Sequence, residues 1–127
     1  MQEQYLFEYA VVRIVPKVER EEFLNVGVVL YCAKQHFLRA MFKLDEERLG
    51  IFCKQTDIEE LREYLQAFER ICLGGSEAGA IGKLPIAERF RWLTATRSTV
   101  LQTSKVHPGF CNNPAEMLTK LFEQLVL

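Results

Sequence analysis

The stretch from Arg89 to Gly109 gathers Arg89, Arg91, Arg97, Ser98, Gln102, Ser104, Lys105 and His107 around only a few apolar residues. Arg97, with Ser98 and Thr99 after it, sets a forked charged donor beside two hydroxyls, a donor set suited to a phosphate or carboxylate. Gln102 and Ser104 share the parity of Ser98, so on one strand the three would line a single face. His107 precedes Pro108 and Gly109, which reads as a loop where an imidazole could take or give a proton. The plainer reading of one His in a turn is a hydrogen-bonding residue. No paired carboxylates or nucleophile–base set accompany it, so the residues point to binding rather than catalysis and call for no metal or cofactor.

Three upstream residues extend the candidate surface. Arg13 interrupts an otherwise apolar parity, and a charge placed there must pair with Glu21 or Glu22, emerge at the strand end, or line a pocket. Asn25 lies just before Gly27, where Asn most often hydrogen-bonds its own turn. Gly27 within a strand marks a bulge or a close backbone approach. Trp92 reads as a core anchor in preference to a stacking platform. The candidate binding residues are therefore Arg13, Asn25, Arg91, Arg97, Ser98, Gln102, Ser104 and His107.

Charge is distributed unevenly over the 127 residues. Residues 83–111 hold five Lys/Arg and one Glu, residues 1–82 ten Lys/Arg and fourteen Asp/Glu, within a chain of net charge -1. A near-neutral whole argues against a dedicated nucleic-acid binder. The local excess points to an anionic partner or ligand, or to pairing between the two halves. Surface charge of this kind contributes little to stability, so segment 83–111 is expected to serve recognition rather than folding. The start of the chain lacks a basic region followed by an apolar run, and no apolar stretch approaches the roughly 20 residues a membrane span needs. A cytoplasmic protein is expected. Cys32, Cys53, Cys72 and Cys111 form no C-x-x-C and read as reduced thiols, Cys32 and Cys72 among them buried.

The elements that must hold these residues are legible from pattern. Leu6 to Val15 is apolar on both parities, an interior strand ended by Pro16. Lys17 to Leu24 is a charged connection with a short helical turn. Val26 to Ala33 and His36 to Lys43 form an antiparallel hairpin. Asp45 to Phe52 opens a short helix. A longer one runs near 57–72, with an Asp57 or Thr56 cap, apolar residues from Ile58 to Cys72 at helical spacing, and Gly74-Gly75 as its stop. Gly74 to Gly82 reads as a flexible loop. A short helix over Ile86–Leu93 follows Pro85, then a strand over Arg97–Thr103. Asn113-Pro114 with Glu116 starts a closing helix near 114–126. The order implies a single domain of α+β class, a mostly antiparallel sheet with helices packed on it.

Two stretches together resemble a bacterial family catalogued as domain of unknown function 3037. The first is Tyr9-Ala-Val-Val-Arg13, Pro16 and Arg20-Glu-Glu-Phe-Leu-Asn25-Val-Gly27-Val-Val-Leu. The second is Arg89-Phe-Arg-Trp-Leu-Thr-Ala, Arg97-Ser98 and Val106-His107-Pro-Gly109. Thr96 and Lys105 stand where that pattern favours proline, a departure in local stiffness rather than charge. The resemblance carries no established activity. It implies a kinase-like protein of the HipA type as a candidate partner, because members are often encoded beside one. Three functions are thus weighed: an accessory module docking a partner protein through 89–109, a small enzyme or ligand-binding protein for a phosphorylated or nucleic-acid substrate, and a structural homo-oligomer. If the two signatures form one site, they must meet in space.

Overall fold

Strand β1 (Tyr5–Ile14) is the element on which the others are assembled, as its two apolar faces require. In the structure, a computed structural model describing residues 3–15, 22–52, 57–95 and 99–127, it has antiparallel neighbours on both sides. Strand β2 (Leu24–Cys32) runs along one side and pairs outward with β3 (Phe37–Phe42). The other side is shared by two short strands. β4 (Leu101–Thr103) faces the C-terminal half of β1, and β5 (His107–Cys111) its N-terminal half. The spatial order is β3-β2-β1-β4, with β5 also on β1. The β2–β3 hairpin turns through Ala33–His36, where His36 takes φ 51°.

Among the described residues the helices are α1 (Glu46–Phe52), α2 (Ile58–Leu73), α3 (Gly79–Gly82), α4 (Ile86–Leu93) and α5 (Pro114–Leu125). Asp57 caps α2 by accepting from the backbone of Glu59 and Glu60, and Asn113 caps α5 by accepting from Glu116. Ala10, Val12 and Ile14 of β1, with Val29 and Tyr31 of β2, form one buried layer with Leu61, Phe68, Phe90 and Leu93 from α2 and α4. Phe7, Val28, Leu30, Cys32 and Cys111 form the opposite layer with Leu118 and Phe122 of α5. The α+β class, the hairpin, the long helix and the closing helix are as the pattern implied. On the wet face of α2, Arg62 bridges Glu59 of its own helix and Glu46 of α1.

Gly27 sits at a bulge. Val12 pairs with Gly27 and Arg13 with Asn25, leaving Val26 as the extra residue on β2. A Cβ at Gly27 would lie 2.6 Å from the Met41 carbonyl oxygen and run into the Phe42 ring, so the close approach requires glycine.

Four expectations change or fall partly outside the described residues. The glycine-rich stretch after α2 is ordered as a single 3-10 turn (Ser76–Ala78) and α3, closed by Gly75 N–H donating to Gly82 O at 2.9 Å. His107-Pro-Gly is the start of β5 and not a loop, because it pairs along the edge of β1 away from β2, where Gly109 leaves room for the Phe7 ring. The strand expected over Arg97–Thr103 is formed from Leu101, with Arg97 and Ser98 outside the described residues. The helical turn expected after Lys17 also falls outside them up to residue 21, and Leu24 already belongs to β2.

Cys32, Cys72 and Cys111 are free and buried. Cys32 and Cys111 share the α5 face but are separated by β1, too far apart for a disulfide without moving backbone. Burial pushes the Cys72 thiol up to about 12 from 9.0. The folded state therefore holds this thiol protonated, and its contribution to stability, full below pH 9.0, declines as pH rises toward about 12. Thiol titration of unfolded, unreduced protein is expected to find four free thiols, with at least these three reacting slowly in the native state at pH 8. Fewer than four would overturn the reduced assignment.

Candidate functional site

The two signature stretches meet. β1 pairs with both β4 and β5, and Arg91 of α4 holds Glu8 of β1 through one nitrogen reaching both carboxylate oxygens at 3.1 and 2.8 Å. Strand alternation then sorts the candidate residues by face.

Arg13 is the cross-strand partner of both Asn25 and Gln102, so these three stand in one row across β2, β1 and β4 on the α5 side. Tyr9 and its partner His107 share that side, ring centroids 5.4 Å apart. They lie four residues from Arg13 along β1, roughly 13 Å at the usual rise per residue. Arg91 is on the opposite side, with Glu8. Arg97 and Ser98 lie outside the described residues. The row, the aromatic pair and Arg91 are thus three separate stations.

Much of the polar density in 89–109 serves the fold. Arg89 donates from Nε to Leu84 O at 3.1 Å, and from Nη1 to Ile71 O and Cys72 O at 2.9 and 2.8 Å. The expectation that the basic segment is not a folding requirement fails at this residue, because its guanidinium caps the end of α2. Ser104 Oγ accepts from Val11 N at 2.8 Å and donates to Lys105 O, binding the edge of β1 instead of facing a ligand. Gln102 Nε2 donates to Thr99 O. Asn25 Nδ2 donates to Leu125 O of α5 at 3.1 Å, a contact 100 residues away and not within its own turn. Trp92, read as a core anchor, is 40% exposed.

Of the partners weighed for Arg13, Glu21 lies outside the described residues. Among the described residues Arg13 makes no ion pair with a carboxylate, and its guanidinium carbon lies 3.9 Å from the centroid of the Phe23 ring. Burial lowers its pKa below the ordinary arginine value. Arg13 Nε and Asn25 Oδ1 are buried without hydrogen-bond partners among the described residues.

The sequence reading passed over an apolar patch. Leu6 and Phe110 are cross-strand partners on the α4 side, 53% and 65% exposed. Pro108, opposite Glu8, is on the same side, with the Arg91–Glu8 pair next to them. The signal was available: Phe110 alternates with Gly109 and Cys111, so a strand there must turn its ring away from the α5 layer. Beside Asn25 a groove of about 250 Å³ is lined by Lys43, Asp45 and Arg48, and its opposite charges leave no clear preference. Among the described residues no three His, Cys, Asp or Glu gather as a metal site, and no helix is long and apolar enough to cross a membrane.

Neither the curated proteins nor the solved structures include a match to this chain. A family described as protein of unknown function (DUF3037) matches residues 9–126, taking in β1 from Tyr9 onward, the Arg13 row, α4 and β5. With nearly its whole length matched, the chain belongs to this family.

Proposed function

We propose that the chain is a non-catalytic binding module that docks a partner protein through the α4-side surface of β1 and β5 around Leu6 and Phe110. The supporting observation is the Leu6–Phe110 pair, two large apolar side chains set side by side on a sheet face and left mostly exposed. Single exposed apolar residues are ordinary, but adjacent ones rimmed by an ion pair have the make-up of an interface centre. Arg91 and Trp92 belong to the residue types that dominate such interfaces. β5 itself is poorly suited to strand addition, since Pro108 removes one N–H from its backbone, so side chains carry the recognition. A HipA-type kinase-like protein, the neighbour the family resemblance implies, is the first partner to offer.

Phe110→Asp tests this. It places a charge at the centre of the patch without touching either buried layer. Stability is expected to stay within about 0.5 kcal/mol of the parent, while the affinity of a partner co-purified from the host falls by about 30-fold or more. A variant that stays folded and keeps every partner of the parent would contradict the proposal.

A further inference from the structure

We propose that Arg13 and Phe23, beside the Asn25–Arg13–Gln102 row, form a site for a small organic oxyanion, a phosphate or carboxylate carried on an aromatic or apolar body. The site is on the α5 side of the sheet and is independent of the docking surface on the α4 side.

Arg13 is a partly desolvated cation. Taking a guanidinium partly out of water is unfavourable unless an anion or a set of acceptors replaces the water. Arg13 has neither among the described residues, its Nε is buried without an acceptor, and its pKa is lowered by desolvation. The amide nitrogens of its two row neighbours are already engaged. Asn25 is fixed by its bond to Leu125 O and Gln102 by its bond to Thr99 O. Phe23 packs against the guanidinium, and a planar or tetrahedral oxyanion approaching the two Nη atoms can be gripped with two parallel bonds.

Phe23 defines the rest of the ligand. It remains 46% exposed although it stacks on Arg13, so an apolar surface adjoins the cation. A ligand presenting an oxyanion to Arg13 can lay an aromatic or aliphatic body on that surface. Free inorganic phosphate would use only the first of these features.

The probes are phenyl phosphate, benzoate, inorganic phosphate and the uncharged benzyl alcohol, followed through arginine Nε–H resonances by NMR. Saturable shifts of the Arg13 resonance are expected with phenyl phosphate or benzoate at millimolar concentration, and whichever binds more tightly identifies the oxyanion. Inorganic phosphate should bind about 5-fold or more weakly, as should phenyl phosphate to Phe23→Ala, because the apolar contact is lost. Arg13→Gln, checked for fold by circular dichroism, should abolish the response. Arg13→Lys keeps the charge and should lose about 10-fold by losing the fork. Equal binding of benzyl alcohol, an unchanged affinity in Arg13→Lys, or no saturation by either aromatic acid would overturn the proposal. Should Arg13→Gln fail to fold, Arg13→Lys and Phe23→Ala decide the matter.

Discussion

Phe90→Ala is expected to destabilise the protein by about 3–5 kcal/mol, the range for emptying a large aromatic site in a core. Phe90 is fully buried and stacks on Tyr31 of β2, ring centroids 5.2 Å apart at 29°. It is therefore a central contact between α4 and the sheet, and α4 carries both Arg91 and Trp92. Loss of the ring removes the apolar burial, leaves a cavity between two layers, and frees α4 to shift relative to β5. Denaturant unfolding should show the midpoint falling sharply. Phe90→Leu, which refills part of the space, should recover more than half of the loss. A change below about 1 kcal/mol for Phe90→Ala would mean that α4 is held by something other than this contact.

Arg89→Ala should cost about 2–4 kcal/mol, a large effect for a residue that is not fully buried. Its guanidinium serves three carbonyls, two of them the otherwise unsatisfied Ile71 and Cys72 oxygens in the last turn of α2. Removing it leaves those oxygens under-satisfied and takes a positive charge from a helix C-terminus. The same guanidinium lies against Gly74, whose φ of 78° ends the helix and where a Cβ would come within 2.6 Å of Nη1. Arg89→Lys retains the charge but not the fork, and equilibrium unfolding should place it between the parent and Arg89→Ala. Equal stability of Arg89→Ala and parent would show that water replaces the guanidinium at no cost.

Arg89 also shows where sequence reasoning reached its limit. A run of Arg, Ser, Gln and His looks the same whether its donors face a ligand or the ends of neighbouring helices. Only tertiary placement reveals that Arg89 is committed to α2 and Ser104 to the backbone of β1. The strands and long helices were legible because periodicity and caps are local: Asp57 and Asn113 stand at the caps read for α2 and α5. The row of Arg13, Asn25 and Gln102 was only half legible. Each residue could be singled out, but the bulge at Gly27 sets which face Asn25 takes, and a shift of one residue reverses it. β5 was missed for the converse reason. Pro and Gly together read as a turn, whereas an edge position tolerates Pro and the Phe7 ring needs a glycine beneath it.

The central claim is that the α4-side surface of β1 and β5 around Leu6 and Phe110 docks a partner. Amide hydrogen exchange on the chain alone and saturated with its co-purified partner tests it most directly. The account predicts added protection at Leu6–Glu8, in the last turn of α4 and across β5, with β3 and the wet face of α2 unchanged. Protection concentrated on β3 or α2, with β5 exchanging as in the free chain, would contradict it.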